Sequence, residues 1–397
     1  MGNKTLNKNL QIPIARTHLL SEEYESVLEP LKSGWLVQGP KVNEFEGLWS
    51  EFTGATHSIA VTSCTSAMHL SLAALGFKPG DEAIVPAFTW ISTANVVEHM
   101  GGVVKFCDID LNTFNIDVSQ IEPLISEKTK VIFPVHLFGL AANIKEISSL
   151  ACENGLWVIE DAACGFGSMV DGQHVGTFGN TGCFSFHPRK SITTGEGGMI
   201  TTNDTELAQR IRQFRDHGAE ISDMQRHLGP KPYLLSEHLV AGYNQRMTDI
   251  QAALGIPQLN RAKSILSERL KIAERYRKSL GELKSLVLPK ALPNTEHGYQ
   301  SYPCLYKPVD ISLQNVGEIH LQRNVLMEKL LSEGVSTRPA THAVHMLHYY
   351  KQKYALKPEN FQMAYFASHC SISLPMFNGM TDEEQSHVIE VVKRHIN

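Results

Sequence analysis

Leu156-Trp157-Val158-Ile159-Glu160-Asp161-Ala162-Ala163 is an apolar run ending on two carboxylates, and its reading decides the fold. Near-continuous apolar residues form strands buried on both faces, so the acids stand at a strand end. Twenty-nine residues past Asp161 comes Lys190, within Ser185-Phe186-His187-Pro188-Arg189-Lys190-Ser191-Ile192-Thr193-Thr194-Gly195-Glu196-Gly197-Gly198. A strand-end acid followed by a lysine suits pyridoxal phosphate chemistry. The acid keeps the pyridine nitrogen protonated, and the lysine carries the cofactor as a Schiff base.

Outward from this run, Ser58-Ile59-Ala60-Val61, Ala83-Ile84-Val85-Pro86, Val103-Val104-Lys105-Phe106 and Val131-Ile132-Phe133-Pro134-Val135 repeat its character. They alternate with helical stretches up to about Asn203. The pattern predicts an α/β fold with a mostly parallel central sheet. Ligands of such sheets collect at strand C-terminal ends, where Ser63, Phe88 to Trp90, His136 and Asp161 fall. Upstream, Tyr24, Val27, Leu28 and Leu31 recur at helical spacing before Gly34, and Val42, Phe45 and Trp49 mark a second helix. Downstream, Leu266, Leu270, Ile272, Ala273 and Tyr276 outline the buried face of a long helix. Thr381 to Glu384 reads as a capping box before Val388, Ile389, Val392 and Ile396. With 397 residues, we expect a large cofactor-binding domain over 14–258 and a smaller α+β domain over 259–397.

The composition, 42% hydrophobic and 19% charged, is that of a globular enzyme rather than a disordered chain. A net charge of −5 argues against a nucleic-acid partner, so anionic substrates must meet local donors. Seven irregularly spaced cysteines without a Cys-x-x-Cys pair point to free thiols in a cytoplasmic protein. The N-terminus has no signal-peptide pattern, and no apolar stretch is long enough to span a membrane. Gly165-Phe166-Gly167-Ser168-Met169-Val170 lacks the third small residue of a dinucleotide fingerprint. No His-Glu-x-x-His or Cys/His cluster occurs, so no metal is expected.

Glu160-Asp161-Ala162-Ala163, then Phe184-Ser185-Phe186-His187 through Lys190, then Thr194-Gly195-Glu196-Gly197-Gly198, resemble in that order the DegT/DnrJ/EryC1/StrS family. Its members are sugar aminotransferases of the aspartate-aminotransferase-like fold type I. The resemblance runs from about Ile14 to the last helix. It implies pyridoxal 5'-phosphate as cofactor, with Lys190 and Asp161 as the catalytic pair. Lysine at 190 matches the aminotransferases, whereas the dehydratase branch carries histidine there. Lys190 would also move a proton, which calls for an amine whose pKa is lowered by cationic surroundings.

In the turn Ser63-Cys64-Thr65-Ser66, at a helix start, Cys64 and Thr65 would hold the cofactor phosphate with Ser185. Trp90 would stack on the ring. Cys164 stands where relatives carry a polar side chain close to the cofactor. Asn244, in Gly242-Tyr243-Asn244-Gln245-Arg246-Met247-Thr248-Asp249, would reach the phosphate of the neighbouring subunit, implying a homodimer with shared sites. His187, Arg338, His342 and His345 are candidate sugar contacts. Arg189, Lys41 or the Arg338 region would meet the nucleotide phosphates.

Plainer readings stand beside these. Asp161 and the Ser63–Ser66 turn could be helix caps, Trp90 a core side chain, and the C-terminal histidines a surface loop. His136 could line the site or bond structurally, Arg246 could be structural or bind the donor carboxylate, and His69 reads as packed. The implied activity is conversion of a nucleotide-linked 4-keto-6-deoxy sugar to its 4-amino sugar with L-glutamate, for surface polysaccharide or glycan synthesis. Alternatives are a 3-keto sugar or cyclitol substrate, or a non-enzymatic cofactor-binding regulator.

Overall fold

The protein is described here from a computed structural model, which covers residues 10–221, 233 and 235–396. The central sheet holds β1 (His57–Val61), β2 (Glu82–Pro86), β3 (Val103–Cys107), β4 (Thr129–Ile132), β5 (Trp157–Asp161), β6 (Thr181–Ser185) and β7 (Gly198–Thr202). Their spatial order is β1-β7-β6-β5-β4-β2-β3. Strands from β6 to β3 run parallel, whereas β7 is antiparallel to both β6 and β1. The sheet interior is built from Ile59, Val61, Ala83, Val85, Val131, Ile132 and Ile159, all wholly buried.

Helices cover the sheet: α1 (Pro40–Thr53), α2 (Cys64–Leu75), α3 (Ser92–His99), α4 (Ile144–Glu153), α5 (Thr205–Arg215) and α6 (Asp249–Asn260). On α1, Val42, Phe45 and Trp49 are buried, and the Trp49 ring meets the edges of Phe184 and Phe186 at 5.0 Å each. A buried ion pair fastens the edge strand. Arg215 Nη1 on α5 donates to Glu46 on α1 at 2.6 Å and to the Ala60 carbonyl of β1 at 2.9 Å. Glu46 also accepts the Ala60 N–H, which occupies backbone groups that an open edge would leave unpaired.

The chain passes from α6 through Arg261 into α7 (Ala262–Leu280), where we propose to divide it into units 14–258 and 259–397. A smaller antiparallel sheet follows, β8 (Leu286–Val287), β9 (Tyr302–Tyr306) and β10 (Ser371–Leu374). It shares a core with α7, α8 (Val316–Ser332) and α10 (Asp382–His395). Ile12, paired with Val335, also enters that core. Val344, Tyr350 and Phe366, the last on α9 (Gln362–Cys370), instead join the core of the large sheet.

Two apolar stripes differ from the sequence expectation. On α7, Ile272, Ala273 and Tyr276 are buried but Leu270 is 45% exposed. The upstream helix is two short ones, Ser21–Ser26 and Leu28–Ser33, closed by Gly34 at φ +77°. Its Tyr24, Leu28 and Leu31 face outward, 64%, 46% and 51% exposed. Helical spacing reports that residues share a face, not that this chain covers the face.

Candidate active site

Three neighbouring strands bring their ends to one place. Val61 of β1 pairs with Gly198 of β7, and Gly198 pairs with Ser185 of β6. Ser63 caps α2 just beyond β1, its hydroxyl accepting the Ser66 N–H at 3.1 Å. A Cβ at Gly198 would lie 2.4 Å from the Ser63 carbonyl carbon and 2.7 Å from the Cys64 nitrogen. Glycine there lets the helix start sit directly over the strand. Gly198 thus joins the start of α2 to the strand end that carries Ser185, and a helix start offers free N–H groups to a phosphate. Thr65 is half-buried beside Cys64 in this first turn.

Asp161 ends β5, 3% exposed. Its carboxylate accepts from the Thr93 hydroxyl at 2.7 Å and from the Ala163 N–H at 3.1 Å. No ion pair to it forms among the described residues. A buried carboxylate without a cation is costly, and the pyridinium N–H of pyridoxal phosphate would supply that cation. The Cys64 thiol lies 3.9 Å from Asp161 and donates to the Cys183 carbonyl at 3.3 Å. Burial, then Asp161, pushes this thiol well above the ordinary range, so Cys64 is a neutral wall of the site.

Lys190 Nζ lies 3.2 Å from Cys164 Sγ. Burial pushes the ammonium pKa down, the Cys164 contact and the Asp161 carboxylate push it up, and the net shift is upward. The direction is opposite to that expected for a lysine depressed by cations, and the groups that set it include the Cys164 thiol and the Asp161 carboxylate. The Lys190 loop is held by Gln300, whose side-chain amide donates to the Arg189 carbonyl at 2.9 Å.

Other candidates fall into distinct places. Trp90 is 56% exposed, its ring 5.6 Å from His342. The two meet because His342–Ala343 pair antiparallel with Phe88–Thr89. His342 and Arg338 are exposed. His187 is half-buried, its Nδ1 accepting the Arg189 N–H at 3.2 Å, and burial lowers its pKa. Asn244 is exposed, its backbone bridged to Asp216. Arg246 is ion-paired with Asp216. His69 packs edge-on to Tyr243 at 4.8 Å.

His345 is a correction. It is wholly buried, with its ring against Phe361, and burial lowers its pKa to about 4. A side chain without exposed surface is a core histidine rather than a sugar contact. His136, left open by sequence, is also structural. Its Nε2 meets Glu160 at 2.9 Å, and its Nδ1 accepts the Ala142 N–H. Lys41 is paired with Glu29 and Glu44 at 2.9 and 3.0 Å. Thr93 and Gln300 escaped the sequence reading. Thr93 lies in the first turn of α3, three residues past Trp90, a weak signal, and Gln300 carries none.

A strand-end acid, a phosphate-shaped helix start and a half-buried lysine on a mostly parallel sheet define a pyridoxal phosphate-dependent enzyme of fold type I. Residues 18–393 match the DegT/DnrJ/EryC1/StrS aminotransferase family. The chain belongs to that family, and its cofactor is pyridoxal 5'-phosphate. It is 35% identical over 387 residues to the spore coat polysaccharide biosynthesis protein SpsC of Bacillus subtilis, covering 97% of each chain. Its structure is similar to the PMP-form of the putative sugar aminotransferase Spr1654 from Streptococcus pneumoniae, with TM-score 0.89, 27% identity, and coverage of 97% and 98%. It is also similar to Helicobacter pylori PseC, an aminotransferase of pseudoaminic acid biosynthesis, with TM-score 0.88, 27% identity, and coverage of 97% and 99%. Among the described residues no His/Cys/Asp/Glu group is placed to hold a metal, and no helix is long and apolar enough to cross a membrane.

Proposed function

We propose that this aminotransferase moves the amino group of L-glutamate onto a nucleotide-linked 4-keto-6-deoxy sugar, in the cytoplasm, for surface polysaccharide or glycan synthesis. The observation that carries the catalytic part is the buried Asp161 carboxylate, bonded to Thr93 and Ala163 with no ion pair among the described residues, together with the Lys190–Cys164 contact. The sugar part is supported by the role of SpsC in spore coat polysaccharide biosynthesis and of PseC in pseudoaminic acid biosynthesis. When bound, pyridoxal phosphate supplies the electron sink and the carrier for the amino group.

The residues divide the work. Asp161, fixed by Thr93 and the Ala163 N–H, holds the ring-nitrogen proton. The α2 start, Cys64, Thr65 and Ser185 hold the phosphate. Lys190 anchors the cofactor and, when freed, carries the proton to and from the substrate carbon. A raised amine pKa makes Lys190 a strong proton acceptor once deprotonated. Trp90 and His342 present an exposed aromatic pair at the site rim, suited to a ring face or sugar. Arg189 and Arg338 are exposed and make no ion pair among the described residues, so they can meet the nucleotide diphosphate. Asn244 serves the phosphate of the second subunit in a homodimer.

The test is a panel of nucleotide-linked 4-keto and 3-keto sugars offered with L-glutamate, read by mass spectrometry for the amino sugar and for 2-oxoglutarate. Amination confined to 4-keto substrates is expected. Amination confined to 3-keto substrates would move the assignment, and no amination across the panel would remove it.

A further inference from the structure

Cys164 Sγ lies 3.2 Å from the Lys190 amine, within contact. The two neighbouring thiols differ from it: Cys64 is 8% exposed, Cys183 is wholly buried, and burial pushes both well up from the ordinary thiol range. Cys164 is half-buried and lines a small cavity with Lys190, Ser185 and Gln300, through which a small reagent would reach its sulfur. A reachable sulfur with an amine in contact is more than a thiol alone. Oxidised sulfur is electrophilic, and a nitrogen beside it can close a sulfenamide.

We propose that Cys164 and Lys190 form an oxidative modification site, in which hydrogen peroxide joins the two side chains through a reversible S–N bond whenever the lysine is not bonded to the cofactor. In the first step the thiol sulfur attacks peroxide. An S–O bond forms, the O–O bond breaks, sulfur is oxidised by two electrons and peroxide is reduced to water. In the second step the Lys190 ammonium gives a proton to solvent, and the nitrogen lone pair so freed attacks that sulfur. The S–N bond forms, the S–O bond breaks, and the hydroxyl leaves with the amine proton as water. Each side chain has then lost one hydrogen. Two equivalents of an added thiol reverse the bond, regenerating thiol and amine and ending as the reductant's disulfide.

The cross-link itself rests on the Cys164–Lys190 contact. Only the protection by cofactor rests on the function proposed above. The modification would remove the lysine from service while shielding Cys164 from irreversible oxidation.

The experiment treats full-length protein, with and without pyridoxal phosphate, with hydrogen peroxide and examines tryptic peptides by mass spectrometry. Cleavage places Cys152, Cys164 and Cys183 on peptide 146–189, and an intact Lys190 bond leaves 190–210 as its partner. Peptides 146–189 and 190–210 joined with a loss of two hydrogens are expected in the cofactor-free protein. The link disappears with dithiothreitol and does not form in Cys164→Ser. Exposed Cys152 reports plain oxidation in the same peptide. Cofactor-dependent activity should fall in step with the linked fraction and return on reduction. Cys164 recovered as sulfinic acid, or as a disulfide with Cys64, beside an unmodified Lys190 would overturn the proposal. A cross-link that forms equally with cofactor present would uphold the S–N chemistry and contradict Lys190 as the cofactor lysine.

Discussion

Glu160 and Asp161 are neighbours in sequence with opposite duties, because successive strand side chains point to opposite faces. Glu160 accepts the N–H groups of Gly176, Phe178 and Gly179 and meets His136. Truncating it would orphan one buried and two part-buried donors, at about 1–3 kcal/mol for a fully buried one. Glu160→Ala should therefore fail to fold or lose most of its stability. Asp161→Asn keeps the shape and the Thr93 contact, so its melting temperature should stay near wild type. Its turnover should drop on the order of a hundredfold or more, the scale of one lost charge-stabilising contact. Melts and steady-state kinetics on the same preparations check both. An Asp161→Asn protein as unstable as Glu160→Ala would place Asp161 in the framework. This division was legible in the sequence because alternation along a strand is geometric. Thr93 and His345 were not, because chain position does not say which helix turn meets a strand end, nor whether a histidine beside a motif lies under Phe361.

At the scale of elements, most strands of the sheet read as apolar runs, but β6 and β7 do not. Both carry glycine where backbones approach too closely for a side chain. A Cβ at Gly182 would meet the Gly176 backbone at 2.3 Å, and one at Gly198 would meet the Ser63 carbonyl. Positions that make the site possible thus read as loop. The capping box of α10 was legible because it is local, with Thr381 accepting the Glu384 N–H at 3.1 Å. Gly198→Ala must push the Ser63–Cys64 turn away from β7. We expect cofactor affinity to fall by about tenfold or more, since the helix start would lose its line to the phosphate. Spectroscopic cofactor titration checks this, and an unchanged dissociation constant would separate the turn from phosphate binding. Asp249 acts across elements. It accepts the N–H groups of Gly39, Lys41 and Val42 at 2.7, 3.0 and 3.1 Å, capping α1 from the start of α6. Asp249→Ala should cost at least about 2 kcal/mol in denaturant unfolding.

The whole molecule carries buried neutral histidines and a stretch of exposed apolar residues, and each makes a prediction. Burial lowers His174 and His345 to about 4 from an ordinary 6.5. Between those values the unfolded chain binds a proton at each histidine and the native chain does not. Stability should therefore be full above pH 6.5 and fall on acidification, by about 1.4 kcal/mol per pH unit for each histidine. His345→Gln should flatten that slope by about one proton in unfolding titrations from pH 7 to 4.5. The exposed apolar residues Tyr24, Leu28, Leu31, Leu36 and Val37 lie close together in sequence, and Asn244 is exposed as well. A second copy of the chain would cover such residues and would let Asn244 serve a site other than its own. Lys190→Ala and Asn244→Ala proteins should each be nearly inactive. Unfolded together and refolded as an equal mixture, about half the dimers are mixed, and each mixed dimer holds one site with both residues intact. Recovery of about a quarter of wild-type activity is expected. Activity that stays at the parental level, with mixed dimers shown by native mass spectrometry, would confine each site to one subunit and leave Asn244 with a local role.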